Sequence, residues 1–281
     1  MTTRPGSKVK ARVWSVDGAS KRLRTDEIAT EEPLEIRLLA GGETKTVAVT
    51  MRTPGADFEL AAGFLFSEGV IGHRDEISTI AYCVDVEAEQ QYNIVNVSLR
   101  ADTIPDLPSL DRHFFTSSAC GVCGKAGLET LQIRGCPVIP PGPVFERSVI
   151  VDLPRQLEAN QRLFNLTGGL HAAALFDESG TMLVCREDVG RHNAVDKLVG
   201  WALMANKLPL HRCAVMVSGR ASYEIMQKCL VAGVPMVCAV SAPSSLSVDV
   251  AQEFGMTLVG FLRGERFNIY AGRERIAGMN A

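Results

Sequence analysis

The stretches RHNAVDKLVGWALMA (191–205), CAVMVSG (213–219), ASYEIMQKCLVAG (221–233), VPMVCAV (234–240), SLSVDVAQEFG (245–255) and MTLVGFL (256–262) follow one another through the last third of the chain. Three are short and continuously apolar, which suits strands buried on both faces; the other three carry helical periodicity. Strand–helix alternation of this kind implies a mostly parallel sheet with helices on both faces, a three-layer α/β domain. Working back, DESG (177–180) is a turn ahead of TMLVCRE. GGLHAAALF (168–176) reads as the start of a helix running towards a strand, and PRQLEANQRLF (154–164) as a helix.

Upstream the texture changes. LEIRLL (34–39) and TVAVTM (46–51) are β-type runs joined by AGGETK, a hairpin signal. DFELAAGFLFSEGVI (57–71) is helical, with Asp57 placed to cap it, and TIAYCVDVE (79–87) and YNIVNVSLR (92–100) are further strands. These make a small α+β (β-β-α-β-β) domain over 1–111, the α/β domain occupying 112–281. The first residues are basic, with Arg4, Lys8, Lys10, Arg12, Lys21, Arg22 and Arg24 against Asp17, and read as a flexible solvated tail.

The 281 residues carry a net charge of -3, with 46% hydrophobic residues, and this balance excludes a strongly basic nucleic-acid binder. The basic start has no apolar core behind it, so no secretory signal is expected, and no run reaches the roughly 20 apolar residues that span a bilayer. Cys213, Cys229 and Cys238 lie in apolar runs rather than in a disulfide framework, which points to a reducing, cytoplasmic setting.

Chemistry concentrates in TSSACGVCGKAGLETL. Cys120 and Cys123 form a Cys-x-x-Cys pair ahead of a helical pattern, with Lys125 beside them; a helix N-terminus and a cation both favour the nucleophilic thiolate. Half of a zinc site, a redox dithiol and a sulfur-carrying nucleophile are the readings open to such a pair. Leu170-His171-Ala172-Ala173 resembles the His-x-Glu of zinc nucleobase deaminases, with Ala173 in the place of the proton-shuttling Glu and the Cys pair upstream of the His. The pieces suggest a cytidine-deaminase-like architecture in which hydrolytic deamination cannot run. No metal of its own is expected. Gly190, Arg191, His192 and Asn193, and likewise Ser218, Gly219, Arg220 and Ser222, stand where helices begin, as anion-handling loops do. FLRGERFNIY adds Arg263 and Arg266 after the last apolar strand.

Together SSACGVCGK, FNLTGGLHAAALF, REDVGRHNAVDKLVG, SGRASYEIMQK and VGFLRGERFNIY resemble the formate dehydrogenase accessory sulfurtransferase family, FdhD, from about residue 30 onward. The resemblance implies a homodimer of a small α+β domain followed by a cytidine-deaminase-like α/β domain. It implies a sulfurtransferase that accepts persulfide sulfur from a cysteine desulfurase. That sulfur would pass to the molybdenum (or tungsten) bis-molybdopterin guanine dinucleotide cofactor of the formate dehydrogenase catalytic subunit. By position, Cys120 becomes the persulfide cysteine with Cys123 as its partner, and Phe261, Leu262, Arg263, Gly264, Glu265 and Arg266 become the cofactor-binding loop. A non-catalytic cofactor chaperone and a Cys-x-x-Cys redox protein are the alternatives. Neither nucleic acid nor membrane is an expected partner.

Overall fold

A computed structural model describes residues 5–84, 87, 90–105, 128, 131 and 136–279. Strands β3 (Glu32–Ala40) and β4 (Glu43–Arg52) form a hairpin whose turn residues Gly41 and Gly42 both have positive φ. A two-residue turn of that hand matches the twist of its strands. Helix α1 (Asp57–Ser67) and strands β5 (Ile77–Tyr82) and β6 (Ile94–Leu99) follow, and the four strands pair in the order β4-β3-β6-β5. Asp57 does not cap α1. It is the first helical residue, and its carboxylate is buried against Arg52, whose Nε donates to Oδ1 at 3.2 Å.

The second sheet has six strands in the order β12-β11-β10-β9-β7-β8. They are β7 (His171–Asp177), β8 (Met182–Asp188), β9 (Cys213–Val217), β10 (Met236–Ala239), β11 (Thr257–Arg263) and β12 (Arg266–Ala271). Only β9, β10 and β11 run parallel to one another; β7, β8 and β12 join antiparallel. The expectation of a mostly parallel sheet is corrected in this respect, because hairpins extend both flanks of the βαβ core.

Helices α4 (Arg191–Met204), α5 (Tyr223–Val231) and α6 (Ser245–Glu253) cover one face of this sheet. The other face packs on α2 (Arg147–Asn160) through Ile150, Leu153 and Leu157. In β7, Ala173 and Leu175 face the first layer while Ala172, Ala174 and Phe176 face the second. Burial on both sides explains why HAAALF is a strand and not the helix its alanines suggest; local propensity yields to tertiary packing. The helix read at 154–164 begins earlier, at Arg147, accommodates Pro154, and gives way near Gln161 to a separate turn, α3 (Arg162–Thr167).

The two sheets meet where α1 crosses α4. A Cβ on Gly63 would stand 1.9 Å from the Asp196 carbonyl oxygen, and one on Gly200 would stand 1.8 Å from that of Glu59. Only glycine permits such backbone-to-backbone contact. Beside the crossing, Ser67 Oγ donates to Asp196 and the buried Lys228 of α5 pairs with the same carboxylate at 2.9 Å.

The basic N-terminal stretch, expected as a flexible tail, is a hairpin of β1 (Lys8–Asp17) and β2 (Ser20–Ala29) that pairs with neither sheet. The alternation Val9, Ala11, Val13 on one side and Arg12, Trp14, Val16 out of phase with it suits a ribbon. Among the described residues no helix is long and apolar enough to cross a membrane.

Candidate functional site

Because β9, β10 and β11 are parallel, their C-terminal ends share one edge of the sheet, and the antiparallel β7 begins and β8 ends at that same edge. That edge gathers His171, the Asp188–Arg191 turn, the Ser218–Ser222 turn, the Val240–Ser244 turn and the β11–β12 connection. Ligands in open α/β sheets settle at such an edge. Both predicted anion loops take the expected form: Gly190 precedes the first turn of α4 and Ser222 that of α5.

His171 lies half-buried beside the second loop. A methyl group on Gly219 would come within 3.4 Å of its Nδ1, and the Ala172 amide donates to Ser218 Oγ at 2.9 Å. Burial lowers the His171 pKa, and the nearby charges of Arg191 and His192 lower it further, so the ring is held towards its neutral form. His192 Nε2 sits 2.6 Å from Glu224 Oε2 and 3.3 Å from Ser222 Oγ, tying the start of α4 to that of α5. Arg191 Nε is buried with no hydrogen-bond partner among the described residues.

The Asp188 turn is fixed from beneath. Lys197 Nζ, buried, meets the buried Asp188 carboxylate at 2.6 Å and donates to the Thr53 carbonyl at 2.9 Å. Asp188 also accepts from the amides of Thr53 and Gly190 and from Asn193 Nδ2. A buried ion pair with so many additional hydrogen bonds holds one geometry firmly. Sequence reasoning missed Asp188, Lys197, Thr53 and Glu224. A lysine on the apolar side of a helix, nine residues after the Asp of an Asp-x-Gly turn, was the available signal.

At the other end of the edge, β11 carries an irregularity between Gly260 and Arg263. A side chain on Gly260 would strike Tyr270 at 2.9 Å and Pro243 at 3.0 Å. Phe261 has φ +52°, unusual for a non-glycine residue, and its amide donates to the Ser241 carbonyl at 3.2 Å. The irregularity separates neighbours that a regular strand would alternate: Phe261 is 39% exposed and Leu262 is 0% exposed in the core. Leu262 therefore anchors the loop and presents no side chain to a ligand. Arg263, Gly264, Glu265 and Arg266 form the exposed turn, Gly264 again at positive φ. His171 and Phe261 are three strands apart in the sheet order, about 14 Å at the usual strand spacing.

Cys120 and Cys123 lie outside the described residues. Of the described cysteines, burial raises the thiol pKa to about 11 for Cys185 and Cys213 and to about 12 for Cys229 and Cys238. These four are poor nucleophiles at neutral pH. Among the described residues no cluster of three His, Cys, Asp or Glu groups is arranged to hold a metal.

The FdhD/NarQ family matches residues 29–277. The sulfur carrier protein FdhD of Streptomyces avermitilis is 53% identical over 93% of this chain and 92% of its own length. That of Sulfurisphaera tokodaii is 45% identical over 95% and 98%. A solved Desulfotalea psychrophila structure, provisionally named a formate dehydrogenase accessory protein, superposes with a TM-score of 0.74 at 27% identity, covering 96% of this chain and 99% of that one. Similarity at this level and coverage makes the chain a member of the FdhD/NarQ family.

Proposed function

We propose that this protein is a cytoplasmic sulfurtransferase serving formate dehydrogenase, with Cys120 as the carrier. The Cys120 thiolate attacks the outer sulfur of a cysteine desulfurase persulfide. A new S–S bond forms, the donor's S–S bond breaks, and the desulfurase cysteine leaves as thiolate, with no net oxidation. The sulfur then passes to the bis-molybdopterin guanine dinucleotide cofactor, bound as substrate at the C-terminal sheet edge. The Cys123 thiolate attacks the inner sulfur of the Cys120 persulfide, the persulfide S–S bond breaks and a Cys120–Cys123 disulfide forms. The outer sulfur leaves at the sulfide level for the metal, and an external thiol afterwards reduces the disulfide. The observation that carries this reading is the suppression of four of the chain's eight thiols by burial, in a family whose relatives are named sulfur carriers. The sheet arrangement supports a deaminase-like ancestry without its hydrolysis, since Ala173, fully buried in β7, offers no carboxylate.

The exposed turn suits the nucleotide end of that substrate. Phe261 is free to stack on a purine, Arg263 and Arg266 to hold phosphate oxygens, and Glu265 to accept from guanine N1 and N2. Incubation with cysteine desulfurase and cysteine, followed by mass spectrometry, should place a persulfide on Cys120 and none on Cys120→Ala. A persulfide on Cys83, Cys136 or Cys185 instead overturns the assignment. Calorimetry should show guanosine diphosphate binding that weakens in Arg263→Ala and Arg266→Ala; equal binding of adenosine diphosphate removes Glu265 from the reading.

A further inference from the structure

At the β8–β7–β9 end of the sheet edge, charge is not balanced within the protein. Asp188 is met by Lys197, and Glu224 by His192. Arg191 is left over. Its guanidinium enters no ion pair among the described residues, and its Nε is buried with no hydrogen-bond partner there. Arginine cannot give up its proton to escape this situation, so the buried N–H stays unmet and costs stability. Unsatisfied groups of this kind are rare in folded proteins and mark places where something else is bound.

The surroundings of that cation point the same way. β7 lies between β8 and β9, so His171 at its start stands between the Asp188–Arg191 turn and the Ser218–Ser222 turn. The charges of Arg191 and His192 both act on His171, and that of Arg191 also acts on Glu224, which places the guanidinium among all three elements. His171 has no side-chain hydrogen bond among the described residues, and its ring lies against the bare Cα of Gly219. Neither α4 nor α5 carries a side-chain cap. Gly190 has no side chain to give, and the Ser222 hydroxyl is turned to His192 at 3.3 Å instead of back to its own helix. By contrast α6, which starts at the same edge, is closed by Ser244 and Ser247 in a capping box. Two positive helix ends thus adjoin an unpaired arginine.

We propose that the Gly190–Arg191 and Ser218–Ser222 turns, with His171 between them, form a second oxyanion site that binds a phosphoryl group. Arg191 supplies charge-assisted donors, the starts of α4 and α5 supply the field of their dipoles, and Gly219 leaves room for close approach. The imidazole of His171 adds one ring N–H. Three strands separate His171 from the Phe261 turn, about 14 Å, so one phosphate cannot touch both places. The site stands on its own geometry and does not depend on Cys120 carrying sulfur. A phosphoryl group can come from a nucleotide whose base sits at the Phe261 turn or from a free inorganic anion, and the two are told apart by experiment.

The test is calorimetry and thermal melting of the full chain with inorganic diphosphate and, separately, guanosine diphosphate. The proteins are wild type, Arg191→Gln, Arg191→Lys and Arg263→Ala. Diphosphate should bind wild type and raise its melting temperature. Arg191→Gln should bind diphosphate at least tenfold more weakly, and Arg191→Lys, which keeps the charge, should lose less. Without ligand, Arg191→Gln should melt no lower than wild type, because the cation it removes has no partner to strand. Arg263→Ala should hold diphosphate within twofold of wild type. If guanosine diphosphate weakens in Arg191→Gln together with diphosphate, the nucleotide's own phosphoryl groups fill the site; if diphosphate alone weakens, the site takes a separate anion. Both results uphold the proposal. Diphosphate binding that is absent in wild type, unchanged in Arg191→Gln, or lost equally in Arg263→Ala overturns it. So does an Arg191→Gln protein that melts well below wild type, since the guanidinium then serves the fold. None of these outcomes bears on the persulfide at Cys120, which mass spectrometry reads separately.

Discussion

The molecule carries two projecting hairpins, β11–β12 and β1–β2, and they are held in opposite ways. The first extends a sheet that is buried on both faces, and Leu262, immediately before its turn, is locked in the core. The second has no fully buried residue in either strand. Where one side of a strand is buried, register and side-chain direction are dictated, and a strained residue such as Phe261 can be kept facing outward. Where neither side is buried, packing dictates neither. One hairpin takes its shape from the core and the other from its own cross-strand pairing.

The sharpest way to break this contrast is to remove the anchor. Leu262→Ala should destabilise the protein by about 3 kcal/mol, the usual cost of emptying a fully buried leucine site, read as a lower denaturant midpoint at unchanged slope. A loss below about 1 kcal/mol would mean the turn is held by its backbone alone. Phe261→Gly probes the strain directly. Glycine accepts φ +52° freely, so stability should hold or rise by up to about 1 kcal/mol, while affinity for guanosine diphosphate falls. Trp14→Ala on the other hairpin should move stability by no more than about 0.5 kcal/mol, as exposed sites do. A larger loss would show the ribbon to be part of the folded core.

The smallest effect lies between the hairpins, at the His192–Glu224 contact. The hydrogen bond from His192 lowers the Glu224 pKa from its ordinary 4.5, and the charges of His192, Lys228 and Arg191 add to it against the opposing effect of burial. A carboxylate whose folded pKa is depressed contributes stability above its unfolded pKa and loses it as pH falls through the folded value. Wild type should therefore lose its melting-temperature advantage over Glu224→Gln below about pH 4.5 and keep it between pH 5 and 6. Parallel melting profiles across that range would show the contact to be inert. Solvent screening keeps this effect small, since the Glu224 side chain is half-exposed.

The strands β9, β10 and β11 and their helices were legible because each buries a continuous apolar run between two layers, and period and length then agree. The α1 helix was legible for the same reason. β7 was misread because an alanine-rich run carries no period of its own; only the layers on both sides of the sheet decide it. β12 was read as part of an anion-handling loop, not as a strand, because none of its residues is fully buried and its register is set by the irregularity in β11. The N-terminal hairpin was passed over because charge density outweighed a period-two pattern that never reaches the core. In the site, the glycine-rich helix starts could be read from residue type alone. The His192–Glu224 contact could not, because it joins two helices whose proximity exists only after the chain has folded, and the Asp188–Lys197 pair left only its lysine on an apolar helix face as a signal. Leu262 took its place in the cofactor loop from the family resemblance, and only the backbone irregularity shows that its side chain is buried in the core.

The crossing of α1 and α4 also governs how the protein can move. With Gly63 and Gly200 face to face, peptide groups of the two helices touch with no side chain between them to act as a bearing. Sliding one helix by a fraction of a turn would bring a bulkier neighbour into that gap, and rolling it would drive carbonyl oxygens into the opposite backbone. The four-stranded layer is in effect welded to the six-stranded one. Any rearrangement of the described residues then has to run around a frame that does not flex.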